Sequence, residues 1–225
     1  MDGILVVDKP QGMTSHDVVD FVRKRFELKK VGHAGTLDPM ATGLLVVLVG
    51  KYTKSSSIFA SDDKEYEATL VLGATTDTGD AWGKIEHSGK EINFKEDEVE
   101  RVFKKFLGEI RQLPPMYSAV KFKGRKLYEL ARKGINVSLS PRKIHIKKID
   151  ILKTAIPQVS FRLVCSKGTY VRQLCIDIGH ALGCGAYLSR LKRTRSGAFC
   201  LDKALGIDEL KNFNKVDLEK RLSTI

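Results

Sequence analysis

The run Gly32-His33-Ala34-Gly35-Thr36-Leu37-Asp38-Pro39-Met40-Ala41-Thr42-Gly43 constrains the fold more than any other stretch of the chain. It holds three glycines and a proline. Glycine admits backbone conformations closed to other residues and lets a second backbone or a ligand come close. Pro39 disfavours helix at Asp38. Residues 44–49, Leu-Leu-Val-Val-Leu-Val, follow at once without polar alternation. Such a run reads as a strand buried on both faces. Asp38 is therefore held on a constrained turn against the core. Two readings of it stay open: a reactive carboxylate on display, or an aspartate that caps or shapes its own turn.

The chain has 225 residues, 42% of them hydrophobic, enough for one large domain or two small ones with a sizeable core. A formal net charge of +12 favours a polyanionic partner, with a merely soluble basic protein as the alternative. Cys165, Cys175, Cys184 and Cys200 form no Cys-x-x-Cys pair, which argues against a zinc site. Nothing in their spacing suggests a disulfide framework, so reduced thiols in a cytosol are expected. The apolar stretch at residues 4–7 is too short for a signal peptide. No run approaches the ~18 apolar residues that a membrane-spanning helix requires.

The pattern along the chain predicts the following elements. Residues 3–7 read as a strand and 8–12 as a turn. Thr14 and Asp17 have capping-box spacing ahead of a helix carrying Val18, Val19, Phe21, Val22 and Phe26. Its last turn is basic, which suits the helix dipole. Lys29, Lys30 and His33 then lead into the Asp38 loop, either as a solvated face or as anion contacts. Residues 64–72 read as a strand with Tyr66, Ala68 and Leu70 on one face. A polar glycine-rich turn follows, in which Asp77 shapes the turn and Ca²⁺-loop spacing is absent. Gly50-Lys51-Tyr52-Thr53 lacks the first glycine of a phosphate-binding loop.

Residues 96–107 read as an amphipathic helix, broken by Leu113-Pro114-Pro115. Lys121-Phe122-Lys123-Gly124-Arg125-Lys126-Leu127-Tyr128 interleaves aromatics with cations, as a nucleic-acid surface does and as a surface hairpin also can. Two antiparallel strands are expected either side of Ile156-Pro157-Gln158. After Tyr170, a stripe of Val171, Leu174, Cys175, Ile178, Ala181 and Leu182 predicts a helix ended by Gly183. Arg172 falls on its other face, in the first turn, where a cation opposes the dipole and calls for a partner such as a carboxylate. Residues 186–195 read as a basic strand, and two short helical patterns close the chain.

Several ordered motifs together resemble the bacterial TruB-type tRNA pseudouridine synthases. They are Gly3-Ile4-Leu5-Val6-Val7-Asp8-Lys9-Pro10-Gln11-Gly12-Met13-Thr14-Ser15, the whole Asp38 loop, Tyr66, Leu72-Gly73, Thr76-Asp77-Thr78-Gly79-Asp80, Pro115-Met116-Tyr117-Ser118-Ala119, Ser166-Lys167-Gly168-Thr169-Tyr170-Val171-Arg172 and Leu182-Gly183-Cys184-Gly185-Ala186. The resemblance covers nearly the whole chain. It implies an α/β fold of the α+β type, with a mixed, largely antiparallel central sheet flanked by helices and loops around an RNA cleft. It implies isomerisation of uridine-55 in the T-loop of tRNA, by base flipping and an aspartate-dependent exchange of the glycosidic bond, with no cofactor and no metal.

By the same resemblance Asp38 matches the essential aspartate. Tyr66 matches the tyrosine on the target base, and Arg172 the arginine that pairs with the catalytic carboxylate. Tyr170 and Leu191 match pocket-lining residues, and Asp80 a contact to the flipped base. His33 matches the histidine that enters the space left by flipped nucleotides, and Lys9 with Pro10 a pair that buttresses the site. Residues 113–141 match a mobile insertion that clamps RNA. The chain is thus expected to be one catalytic domain, residues 1–225. It is expected to act as a cytoplasmic monomer on the tRNA T-arm, with no membrane and no obligatory protein partner. The family usually continues into a small RNA-binding domain of the PUA type, which these residues do not contain. T-arm recognition is expected to survive without it, with weaker contacts to the rest of the tRNA. A non-catalytic RNA-binding protein and a guide-RNA-dependent pseudouridylase are the rival readings.

Overall fold

The computed structural model describes residues 1–118, 120–122, 124–135 and 137–224. Ala119 of the Pro115-containing motif and Lys123 of the basic aromatic run lie outside the described residues. The chain forms two compact units, one of Met1–Glu67 with Arg190–Ile225 and one of Ala68–Ser189.

In the first unit, strand Gly3–Lys9 lies antiparallel to Thr42–Val49, with Gly3 opposite Val49 and Lys9 opposite Gly43. Val31–Ala34 pairs antiparallel with the far end of Thr42–Val49. Near its start, Thr42–Val49 takes a parallel partner in the last part of strand Ala186–Ser196, with Arg193 opposite Gly43. The two-sided burial expected of residues 44–49 is present. Leu45 and Val47 pack with Leu5, Val18, Val22, Phe26 and Leu210 on one face. Leu44, Val46 and Leu48 pack with Ile4, Ala34 and Phe59 on the other. Each such side chain contributes about 1.5–3 kcal/mol by leaving water.

Helix Ser15–Arg25 begins in the expected capping box. Asp17 N–H donates to Thr14 Oγ1 at 3.0 Å, and Thr14 N–H donates to Asp17 Oδ2 at 2.7 Å. Lys9 differs from its expected place in a turn: it ends the first strand and is fully buried.

The second unit orders its strands Lys64–Leu72 (from Ala68 onward), Gln158–Cys165, Arg142–Ala155 and Gly108–Gln112. The Arg142–Ala155 strand is antiparallel to both its neighbours. Helix Glu96–Lys104 meets the sheet through an edge-to-face contact of Phe103 with Phe161, ring centroids 5.3 Å apart. This helix is shorter than its apolar pattern predicts. Residues 105–107 tighten into i→i+3 hydrogen bonds, and Gly108 at φ 90° turns the chain into an edge strand. The Lys121–Phe122 and Arg125–Lys126 strands form the surface hairpin that was one of the two readings of that run. In helix Val171–Ala181 the apolar stripe is buried as expected, except that Ala181 in the last turn is exposed.

All four cysteines are free thiols. Among the described residues no helix is long and apolar enough to cross a membrane, and no group of His, Cys, Asp and Glu is placed to hold a metal.

Candidate active site

Asp38 is half-buried at the turn between strands Val31–Ala34 and Thr42–Val49. The turn is held from several sides. Ala41 N–H donates to Asp38 O at 3.0 Å, and Gly12 N–H donates to Pro39 O at 2.9 Å. The buried Ser15 hydroxyl accepts from Leu37 N–H at 2.8 Å and donates to Leu37 O at 3.1 Å.

Two buried cations complete the support. Lys9, 0% exposed, donates from Nζ to Pro10 O at 2.9 Å, to Met13 O at 2.7 Å and, at the limit of length, to Pro39 O at 3.5 Å. Burial pushes its pKa down to about 8, with the charge of Arg193 acting in the same direction and the charge of Asp38 acting against both. Arg193, 1% exposed, donates from Nε to Leu44 O at 2.7 Å and from Nη2 to Gly35 O at 3.1 Å. Those two carbonyls are the two ends of the Asp38 loop. Gly43 stands at φ 99°, and a Cβ there would lie 2.4 Å from Arg193 O. Only glycine fits that approach.

In the sequence Arg193 reads as one charge of a basic strand. The signal for its burial was present, because it stands two residues from Leu191 and so shares a strand face with it. Leu191 is itself 8% exposed. Tyr66, 9% exposed, is buried in this same unit. His33 sits in the Val31–Ala34 strand, and its Nδ1 is buried without a hydrogen bond among the described residues. Burial first, then the charges of Arg193 and His16, hold its pKa below the usual histidine value and favour a neutral ring.

The second unit gathers the other expected residues. Arg172, the second residue of its helix, is buried rather than solvent-facing at 4% exposed. Its Nη1 donates to Thr78 O at 2.9 Å and its Nη2 to Tyr117 O at 2.7 Å. Asp80, 7% exposed, supplies a carboxylate 3.6 Å from Arg172 Nε. Asp80 Oδ1 accepts from Thr78 Oγ1 at 2.8 Å and from Trp82 N–H at 3.1 Å. Asp77 shapes the turn, as expected, by accepting from Lys84 N–H at 2.8 Å.

Tyr170 precedes the helix and is half-buried. Gln112, 2% exposed and not singled out from the sequence, grips its backbone both ways. Tyr170 N–H donates to Gln112 Oε1 at 2.8 Å, and Gln112 Nε2 donates to Tyr170 O at 3.1 Å. Of the expected site residues, Asp38, Lys9, His33, Tyr66 and Leu191 thus belong to the first unit, and Asp80, Tyr170 and Arg172 to the second.

The chain is similar over most of its length to known proteins. Residues 23–171 match the model of the TruB family pseudouridylate synthase N-terminal domain, and residues 172–224 match that of the tRNA pseudouridylate synthase B C-terminal domain. A tRNA pseudouridine synthase B of Opitutus terrae is 47% identical over 222 residues, covering 99% of this chain and 92% of the relative. One of Alkaliphilus oremlandii is 48% identical, covering 96% of this chain and 72% of the relative. Among solved structures, a chain of a Cbf5-Nop10-Gar1 complex is 34% identical with a TM-score of 0.74, covering 94% of this chain and 54% of that one. A chain of an H/ACA RNP bound to a substrate RNA containing 2′-deoxyuridine is 31% identical with a TM-score of 0.72, covering 98% of this chain and 56% of that one. The chain spans little more than half the length of those two solved chains. The family model covers most of its residues, and close relatives match it almost end to end, so the chain belongs to the TruB family of pseudouridylate synthases.

Proposed function

We propose that this chain isomerises uridine-55 in the T-loop of tRNA to pseudouridine, as a cytoplasmic monomer that needs no protein partner. The observation that carries the reading is near-full-length similarity, at 47–48% identity, to relatives named tRNA pseudouridine synthase B. The support given to the Asp38 loop agrees with it. In the net reaction the bond from C1′ to N1 of uracil breaks and a bond from C1′ to C5 forms. C5 loses its proton and N1 gains one, so no atom and no electron is added or removed.

Asp38 is the group that acts on the nucleotide, and it must be ionised to do so. Arg172 holds the carboxylate of Asp80, and Tyr66 packs on the base and is the candidate for taking the C5 proton. The target base is stacked in folded RNA, and flipping it out costs a few kcal/mol. His33, kept neutral by burial, enters the space left behind. Asp80 contacts the flipped base, and Tyr170 and Leu191 line its pocket. Lys9 holds the turn after Asp38. Residues 113–141 close on the T-arm. The net charge of +12 supplies the attraction to phosphate.

The similarity to chains solved in H/ACA complexes favours a second reading, dependence on a guide RNA. One experiment separates them. The purified chain is incubated with an unmodified T-arm stem-loop, and pseudouridine is assayed with Asp38→Asn in parallel. Product from the wild type alone supports the proposal. Product from both variants removes Asp38 from the chemistry. Binding without product in either points to the guide-dependent or non-catalytic reading.

A further inference from the structure

We infer that Arg193 is a positioning residue for Asp38, one whose guanidinium bridges the two ends of the aspartate's loop and fixes where its carboxylate points. The inference rests on the proposed function and deepens it. Three observations carry it. First, the side chain is 1% exposed, so it serves no surface. A buried cation is costly, and the cost is offset only where donors meet acceptors. Second, its acceptors are Gly35 O at 3.1 Å and Leu44 O at 2.7 Å, three residues before Asp38 and six after it. One rigid planar fork therefore sets the separation of the loop's ends, whereas a lysine ammonium at this position, a compact point charge on a flexible stem, would not fix that spacing. Third, the main chain of Arg193 lies against Gly43 in the parallel pairing, close enough to exclude any Cβ. The loop is thus gripped at its exit by the backbone of Arg193 and at both ends by the side chain.

Lys9 is the second member of this base. It is fully buried and reaches toward Pro39 O, immediately after Asp38. The carbonyls of Gly35, Pro39 and Leu44 are thus held by two buried cations, and the charge of Asp38 acts on one of them, Lys9. Arg193 touches no reacting atom, so its effect is on geometry. A misplacement of about 1 Å in a reacting group can cost about 100-fold in rate.

The test uses the full chain with Arg193→Lys and Arg193→Gln, alongside wild type and Asp38→Asn. Single-turnover pseudouridine formation and stem-loop affinity are measured separately, with thermal unfolding as a check on folding. The titration of His33, followed by NMR, provides a further readout, because Arg193 is one of the charges that hold its pKa down. The expected result is a folded Arg193→Lys whose affinity stays within about two-fold of wild type while its single-turnover rate falls about 100-fold. Arg193→Gln should lose rate to a similar degree, and its His33 should titrate at higher pH. Wild-type rates in folded Arg193→Lys and Arg193→Gln would overturn the inference and leave the proposed function standing. Rate and affinity falling together, in step with the folded fraction, would reduce Arg193 to a general structural part and also overturn it. Absence of product from the wild type itself would sink the function reading and this inference with it.

Discussion

Lys9→Met isolates one buried proton. The Lys9 ammonium has no exposed surface, and burial drives its pKa from the ordinary 10.5 down to about 8. In the unfolded chain the same group titrates near its ordinary value. Between about pH 8 and 10.5 the unfolded state therefore holds a proton that the folded state has released. Stability rises with pH wherever the unfolded state binds more protons, so Lys9 adds stability as pH climbs through this window and adds no more above it. Below pH 8 both states are protonated, and the cost of burying the charge is borne in full. The gap between the two pKa values corresponds to about 3 kcal/mol at ~1.36 kcal/mol per pH unit. Methionine has no proton to release. Its loss of donors to Pro10, Met13 and Pro39 is the same at every pH. Urea unfolding of wild type and Lys9→Met at pH 7 and pH 10.5 gives two differences in unfolding free energy. The wild type should gain on the variant by about 3 kcal/mol between them. Other titrating groups act in both proteins and cancel. A difference that stays flat with pH would refute the assignment of a depressed pKa to Lys9, and with it the buried-cation account of the Asp38 turn.

Substitutions at three further positions probe the supports. Gly43→Ala should lower the unfolding free energy by about 2–5 kcal/mol in urea titration, from left-handed backbone strain plus the clash with Arg193 O. Gly12→Ala, at a similar φ of 93° with open space around it, should cost only the strain of about 1–2 kcal/mol, and equal losses at both sites would remove the steric argument. Gln112→Ala should cost about 2–4 kcal/mol by leaving the Tyr170 N–H and C=O without their partner. Gln112→Glu should recover at acid pH, because a protonated carboxyl can both donate and accept whereas the ionised form only accepts. Burial raises the folded pKa of such a glutamate, so its stabilising bond is present at low pH and is lost as pH rises. Unfolding of Gln112→Glu and wild type at pH 5 and pH 8 checks this, and parallel stabilities would refute it.

The parts of the fold that show in the sequence are those written by local periodicity. Residues 44–49 have no polar position, and both faces of that strand are covered by core. Thr14 and Asp17 stand three apart and cap their helix. The stripe from Val171 to Ile178 faces inward because four helical steps return to the same side. The edge strand Gly108–Gln112 did not show, because Gly-Glu-Ile-Arg-Gln carries little intrinsic strand preference. It is a strand because Arg142–Ala155 offers it a ladder. The interleaving of the two units, with the chain returning to the first at Arg190, is likewise a matter of long-range pairing that no local pattern encodes.

The candidate site was least legible where it depends on buried charge. A sequence reader sends cations to solvent, because an uncompensated charge in the interior costs several kcal/mol. Arg193 escapes that rule through carbonyls 149 and 158 positions away in the chain, Arg172 through partners 94 and 55 away. Each cation is buried only because the fold has already brought those oxygens together, so the partners that offset the burial, and its purpose, cannot be read from neighbours in sequence. The same geometry bears on the two readings of Asp38. A turn that needs its aspartate for shape should be poor in other supports. This one draws hydrogen bonds from Gly12, Ser15, Lys9 and Arg193 as well as from its own Ala41 N–H. Asparagine at position 38 keeps the size of the side chain and leaves all of those bonds in place. Asp38→Asn therefore tests chemistry in a turn whose other hydrogen bonds are kept: it should still unfold cooperatively where its product does not form, with a lower thermal midpoint from loss of the charge that acts on Lys9.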